Sequence, residues 1–338
     1  MQKDSLHVSV VGSGGTLGKE IKSSLEERKL PICKINLLDS KKYEGVMTEF
    51  GSEAHLIAPV EENSFIHSDI VFLCCSHEDG LKYLAFPRKK QSLLIDFSMA
   101  GLKKEHIPIV NHDINGKGVY GLRGIVSAPH PPSMFLTNIL HPLDEAFGVE
   151  RAAVQVFQPA SDLGEEGVEE LSLQTINLLN FSKVPKKIFG RQLAFNVMPS
   201  SMLPQKPGEE SMDSDLCLEI SEILGWRPAR LAIRMFMIPV FYCHSFSIHL
   251  TFRSRIKAAD VLEQLQQTNP VKLLAKGAQG ATPVEATGNR EIFMSELRGD
   301  GLADGGFWLW LVSDNLFSLA ALNAVKIAEA FIAGAFSH

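Results

Sequence analysis

The sequence predicts an α/β protein of two domains, the first doubly wound around a parallel sheet and the second of α+β type. Three observations carry that reading. Short, continuous apolar runs alternate with helical patterns through roughly the first 130 residues, as strands covered on both faces do. The first of these runs breaks at a glycine cluster, Gly12-Ser13-Gly14-Gly15-Thr16-Leu17-Gly18, that opens into a helix. Much later, Phe246, Ile248, Leu250 and Phe252 alternate with Ser247, His249 and Thr251. That period of two marks a strand with one buried face in an antiparallel or mixed sheet. A chain of 338 residues is long enough for two cores.

In order, His7 to Val11 reads as the first strand, and Leu17, Ile21 and Leu25 set one face of the helix after the glycines. Ile35 to Leu38 is a second strand that closes at Asp39-Ser40, and Ile70 to Leu73 and Leu93 to Ile95 are two more. The character changes after Ala128-Pro129-His130-Pro131-Pro132. A helix from near Ser133 carries Phe135, Ile139 and Leu140 and leads to a strand around Ala152 to Phe157. Gly277 to Gly288, rich in Gly, Ala and Thr, reads as a loop, and an amphipathic helix from about Asn315 to Ala333 closes the chain.

Composition narrows the function classes. A formal charge of -6 gives no reason to expect nucleic acid as a partner. No apolar run reaches the ~18 residues of a membrane span, and Met1 to Ser5 lacks the basic-then-apolar order of an export signal. Five cysteines without a CxxC pair read as reduced thiols in a cytoplasmic protein, with neither disulfides nor a metal site.

A strand that ends in glycines and opens into a helix can seat a pyrophosphate: the backbone approaches closely and the helix N-terminus offers free N–H groups. Gly12, Gly15 and Gly18 give the spacing G-x-x-G-x-x-G, which a purely structural turn could also use. Asp39 lies 21 residues beyond Gly18, where a carboxylate can bind a ribose 2′-OH and favour NAD. Ser40, Lys41 and Lys42 could instead embrace the 2′-phosphate of NADP, or form a solvated turn. The residues leave the choice open.

With these segments placed, the chain resembles the aspartate-β-semialdehyde dehydrogenase family over nearly its whole length. The matching stretches are Val10 to Gly18, Leu193 to Pro199, Pro239 to Ser245, Val312 to Leu316 and Ala320 to Glu329. Phe189-Gly190-Arg191-Gln192-Leu193-Ala194-Phe195-Asn196 is similar to its divergent Usg-like branch. The resemblance implies a Rossmann-type dinucleotide-binding domain of residues 1–130 and 314–338, completed by the C-terminal helix. It also implies a catalytic-type and dimerisation domain of residues 131–313, hence a homodimer. NADP or NAD would lie on Gly12, Ser13, Gly14, Gly15, Thr16, Leu17, Gly18, Asp39, Ser40 and Asn315.

The same resemblance implies that the chemistry is incomplete. The family's thiolate sits at a helix N-terminus, where the dipole helps ionise it; the matching position here is Pro131. The two substrate-binding arginines fall on Leu102 and Met237, which cannot make bidentate pairs with a carboxylate. A family lysine falls on Asp215, and an Arg-Lys-Gly of a cofactor loop has become Phe317-Ser318-Leu319. Gln158 matches the glutamine that orients the acyl intermediate, and His244 matches the general acid/base. Without a nucleophile beside it, His244 reads as a retained pocket residue. His130 and His244 lack the third ligand a metal would need, and Cys74, Cys75 and Cys243 read as packing thiols. The expected protein is therefore a silent dehydrogenase homologue that binds a nucleotide or another small molecule. The alternative is an oxidoreductase that handles a less charged carbonyl without a thiol. An authentic aspartate-semialdehyde dehydrogenase is the third reading, weighed down by the missing thiolate.

Overall fold

In the computed structural model, residues 6–101, 107–119, 122–204, 211–268, 271–273, 280–289, 291–301, 306–314 and 316–335 are described. Leu102 and Asn315 therefore lie outside the described residues. The chain divides into two units, Met1–Met134 with Phe317–His338, and Phe135–Leu316.

The apolar runs of the first unit become strands of one sheet. In chain order its elements are β1 (Leu6–Val11), α1 (Thr16–Glu27), β2 (Ile32–Asp39), β3 (Met47–Phe50), β4 (Glu53–Leu56), β5 (Ala58–Pro59), β6 (Ile70–Leu73) and α2 (His77–Tyr83). Then follow β7 (Leu93–Asp96), α3 (His112–Asn115), β8 (Gly124–Ser127) and the start of α4 (Pro131–Phe147). The sheet order is β5-β2-β1-β6-β7-β8, every pairing parallel, while β3 and β4 form a separate hairpin. Parallel strands need cover on both faces, and two apolar clusters supply it. One joins Val8, Val10, Phe72 and Ile95 to Ile21 and Leu25 of α1. The other joins Val11, Val71, Leu73 and Leu94 to Phe65, Tyr83 and Leu84.

The second unit begins within α4 and continues through β9 (Val149–Gln158), α5 (Gly164–Leu179), β10 (Met198–Pro199), α6 (Met212–Leu224), β11 (Leu231–Met237) and β12 (His244–Phe252). It ends with α7 (Ala258–Thr268), β13 (Val271–Leu273), α8 (Pro283–Ala286), β14 (Ile292–Gly299) and β15 (Gly306–Ser313), before α9 (Leu316–Ala335). From α9, Ala321, Ala324, Val325 and Ala328 enter the first unit's core, and Asn323 donates to Val110 O while accepting from His112 N, both at 2.8 Å. The stretch read as a loop up to Gly288 thus contains the short α8, and its residues 277–279 are outside the described set.

The second sheet is mixed, in the order β10-β11-β9-β12-β15-β14-β13. One face is buried against α4, α6 and α7 through Phe135, Leu216, Ile220, Val261 and Leu265, and Phe135 stacks on Phe246 at 4.0 Å. Truncating either ring would cost about 3–5 kcal/mol. The opposite face is only half-buried: Phe157 lies 5.9 Å from Phe236 and 5.7 Å from Trp310, and His249 lies 4.8 Å from Trp308.

Helix α5 fastens the segment that follows it. The buried Glu170 carboxylate accepts from Lys187 N, Ile188 N and Phe189 N at 2.7, 2.8 and 3.1 Å. One turn on, Gln174 accepts from Leu193 N and Ala194 N at 2.7 and 3.0 Å and donates to Pro185 O and Arg191 O.

Candidate functional site

In the first unit, β1 delivers the chain to Gly12, whose φ is +77°, a conformation that costs any residue with a side chain. A Cβ on Gly12 would stand 1.8 Å from Cys74 O, and one on Gly18 would stand 2.2 Å from Gly12 O. Glycine at these two positions lets the loop turn against β6 and lets α1 pack on the loop. Gly14 lies beside Tyr43, where a Cβ would meet ring Cδ1 at 2.7 Å.

The loop is tied to the end of β2. Gly12 N and Ser13 N donate to Leu38 O at 2.8 and 3.1 Å, and Ser13 Oγ donates to the same oxygen at 3.2 Å. Gly14 N donates to Asp39 Oδ2 at 2.9 Å and Ser40 N to Asp39 Oδ1 at 2.7 Å. Ser13 is fully buried and commits its polar atoms to β2, while Leu17 packs half-buried against the core. Both support the loop. Thr16 is exposed at the first position of α1, and Ser40 is exposed beside Asp39.

A cavity of ≈ 260 Å³ opens here, lined by Val11, Gly12, Gly15, Asp39, Ser40 and Tyr43. Cys74, Cys75, Ser76, Asp79 and Tyr83 complete its wall. Bare backbone at the glycines, a helix N-terminus and a carboxylate at the end of β2 together suit the pyrophosphate and ribose of a nicotinamide dinucleotide.

The cysteines of this wall are poor nucleophiles. Burial pushes the Cys74 thiol well up, with Cys75, Asp96 and Asp39 adding to the effect. Burial also raises Cys75, reinforced by Asp79, Asp96 and Asp39. Thiols kept protonated do not attack carbonyls at neutral pH.

In the second unit, four polar side chains converge. Gln158 ends β9, and a turn of Ala160–Leu163 then presents Asp162. Ala160 N donates to Val240 O at 2.8 Å and Ser161 N to Phe241 O at 3.0 Å, which fastens that turn to the chain entering β12. His244 opens β12 and donates from Nε2 to Asp162 Oδ2 at 2.7 Å; Gln158 Nε2 donates to the same oxygen at 2.9 Å. Ser200 Oγ donates to Gln158 Oε1. Gln158, Ser200 and His244 are all buried, so each bond to the carboxylate is made with little competition from water.

A histidine that donates its Nε2 proton to a carboxylate keeps a lone pair on Nδ1. The group can thus take up or return a proton. Sequence reasoning singled out Gln158 and His244 but missed Asp162, which is 82 residues from the histidine it holds.

Met237 and Pro131, two of the remaining expected positions, are among the described residues. Met237 is fully buried with Ala160, Leu171, Phe189, Leu193 and Met198, and it pairs with Gln158 in the β11–β9 register. Pro131 is the first residue of α4, with Met134 N donating to His130 O at 2.9 Å. A proline is welcome there, because the N–H it lacks would have no intrahelical partner. Cys243, with φ +73°, turns away from the chemistry of its neighbour: its Sγ donates to Pro283 O at 3.4 Å, and burial pushes its thiol up to about 12. Among the described residues, no group of three or more His, Cys, Asp or Glu is placed to hold a metal ion, and no helix is long and apolar enough to cross a membrane.

Residues 7–121 match the semialdehyde dehydrogenase NAD binding domain, and residues 140–318 match the semialdehyde dehydrogenase dimerisation domain. The chain belongs to the semialdehyde dehydrogenase family. Within that family it is 30% identical to the aspartate-semialdehyde dehydrogenase of Rickettsia bellii, over 96% of this chain and 97% of the relative. It is 28% identical to aspartate-semialdehyde dehydrogenase 2 of Vibrio cholerae, over 96% and 97% of the two chains. The crystal structure of Vibrio cholerae aspartate semialdehyde dehydrogenase II complexed with ASA superposes with a TM-score of 0.85 at 28% identity, covering 97% of this chain and 98% of that one. The Candida albicans enzyme, solved with NADP, shares the fold, with a TM-score of 0.67 at 16% identity over 98% and 99% of the chains. The semialdehyde dehydrogenase fold expected from the sequence, a nucleotide-binding α/β unit with a dimerisation unit, is therefore present in this family member.

Proposed function

We propose that this chain is a divergent, Usg-like member of the family that does not oxidise aspartate semialdehyde and acts as a homodimer binding a nicotinamide nucleotide or a small metabolite. The observation that carries the reading is Pro131 at the head of α4. Thioester formation requires a thiolate at that helix N-terminus, and proline offers neither a nucleophile nor an N–H. Met237, committed to packing, adds a second missing function, since an apolar side chain cannot clamp a substrate carboxylate. The raised thiols of Cys74, Cys75 and Cys243 argue against a relocated nucleophile.

A bound nicotinamide would supply a hydride acceptor or donor. The chain's own contribution is the glycine cradle, the Asp39 carboxylate and the α1 N-terminus. The half-buried aromatic face of the second sheet supports dimerisation, because Phe157, Phe236, Trp308 and Trp310 would gain cover from a second copy. Sedimentation of the purified protein tests that point, and a monomer at micromolar concentration would refute it. For the activity, protein mixed with aspartate semialdehyde, phosphate and NADP should form no NADPH above a blank. Clear turnover would overturn the reading.

One observation favours a second reading. The Asp162–His244 hydrogen bond equips the site to move a proton without a thiol. On that reading the protein reduces or oxidises a less charged carbonyl compound directly. A screen of aldehydes and ketones with NADH and NADPH separates the two, and silence across the screen removes the second.

A further inference from the structure

We infer that the first unit's pocket selects nucleotides with a free ribose 2′-hydroxyl, so that the chain binds NAD(H) in preference to NADP(H). This rests on the proposal that the pocket binds a nicotinamide nucleotide at all, and it settles a question that the residues Asp39-Ser40-Lys41-Lys42 left open.

Asp39 is only 8% exposed, yet it lines the cavity. Its two oxygens are oriented by Gly14 N and Ser40 N, one on each. A carboxylate has about four lone-pair positions, so each oxygen keeps capacity for one more donor. The hydroxyls of a ribose diol are donors of that kind. A 2′-phosphate carries about -1.5 to -2 charges and only acceptor oxygens, and would meet this fixed carboxylate with like charge.

Among the described residues that line the cavity none is Lys or Arg, and the second charged one is another carboxylate, Asp79, held by Ser76 Oγ at 2.9 Å. Lys41 and Lys42 are exposed, and the Lys42 ammonium stands 5.6 Å from the centroid of the Tyr43 ring without lining the pocket. The Tyr43 ring packs beside Gly14, so the short helix Lys41–Tyr43 lies against the loop.

The test is a titration of the full-length protein with NADH and, separately, NADPH, followed by the nucleotide's own fluorescence at low ionic strength. NADH should bind at least about tenfold more tightly. Asp39→Ser, which removes the charge but keeps a hydroxyl beside Gly14, should narrow that ratio below about threefold, mainly by strengthening NADPH. Competition with 5′-AMP and 2′,5′-ADP gives the same ratio on the unmodified protein, should the variant fold poorly. Equal affinities, or tighter NADPH, would overturn the inference and leave nucleotide binding intact. Failure of both nucleotides at millimolar concentration would overturn the inference together with the nucleotide-binding proposal beneath it.

Discussion

Replacing Asp162 by alanine should destabilise the second unit far more than a surface aspartate would. The carboxylate takes hydrogen bonds from Gln158 Nε2 at 2.9 Å and His244 Nε2 at 2.7 Å, and its own side chain is 15% exposed. A hydrogen bond to a charged group contributes about 1.5–3 kcal/mol, and stranding a buried donor costs a similar amount. Two such donors, with some relief from water entering the vacated space, give a loss of roughly 3–5 kcal/mol. At a urea slope of about 2 kcal/mol/M this moves the midpoint down by about 2 M. Trp226, Trp308 and Trp310, the chain's 3 tryptophans, all lie in the second unit, so intrinsic fluorescence follows that unit's unfolding selectively. Paired with His244→Ala in a double-mutant cycle, the coupling should be about 1.5–3 kcal/mol. Strict additivity, or an Asp162→Ala protein within about 0.5 kcal/mol of the parent, would show that the carboxylate does not hold the histidine.

Gly18→Ala should lower the stability of the first unit by about 1–3 kcal/mol and abolish nucleotide binding. Its Cβ would stand 2.2 Å from a backbone oxygen, a clash that outweighs the ~0.5–1 kcal/mol helix gain; a neutral effect in thermal melting would contradict the packing described. Lys22, buried in α1 with its ammonium on Thr48 Oγ1, has its pKa lowered first by burial and then by Lys19. Because the folded value lies below the unfolded 10.5, the unfolded chain binds more protons in that window, so stability should rise with pH through it. Lys22→Met should flatten this rise in denaturation curves taken just below pH 10.5, and an unchanged slope would refute the assignment. Thiol labelling at pH 8 should show one fast equivalent from exposed Cys33, lost in Cys33→Ser, while Cys243, pushed up to about 12, reacts at least about a hundredfold more slowly. Rapid labelling of Cys243 would reopen the case for a relocated nucleophile.

What the sequence made legible follows from where burial dominates. Ile70 to Leu73 and Leu93 to Ile95 are covered on both faces, so they read as unbroken apolar runs. The hairpin of β3 and β4 left no such trace: Thr48, Glu49, Glu53 and His55 line a largely exposed ribbon, and Gly51-Ser52 was its one turn signal. The helix expected from near Ser133 begins two residues earlier, at Pro131, where a proline fits the first helical position. Asp162 was invisible because its partner is brought to it by strand pairing and not by local pattern. The orientation of Asp39 was equally hidden, since both a ribose-binding and a solvated aspartate follow an apolar strand in the same way.

The clasp formed by Glu170 and Gln174 gives helix and following segment the mechanics of a single rigid part. Two side chains one helical turn apart anchor main chain from Pro185 to Ala194, so a one-residue deletion between Phe189 and Leu193 would throw the Glu170 and Gln174 anchors out of step with each other. The fully accessible Phe181, just outside the anchored stretch, marks the point where extra length could be spliced in without disturbing it.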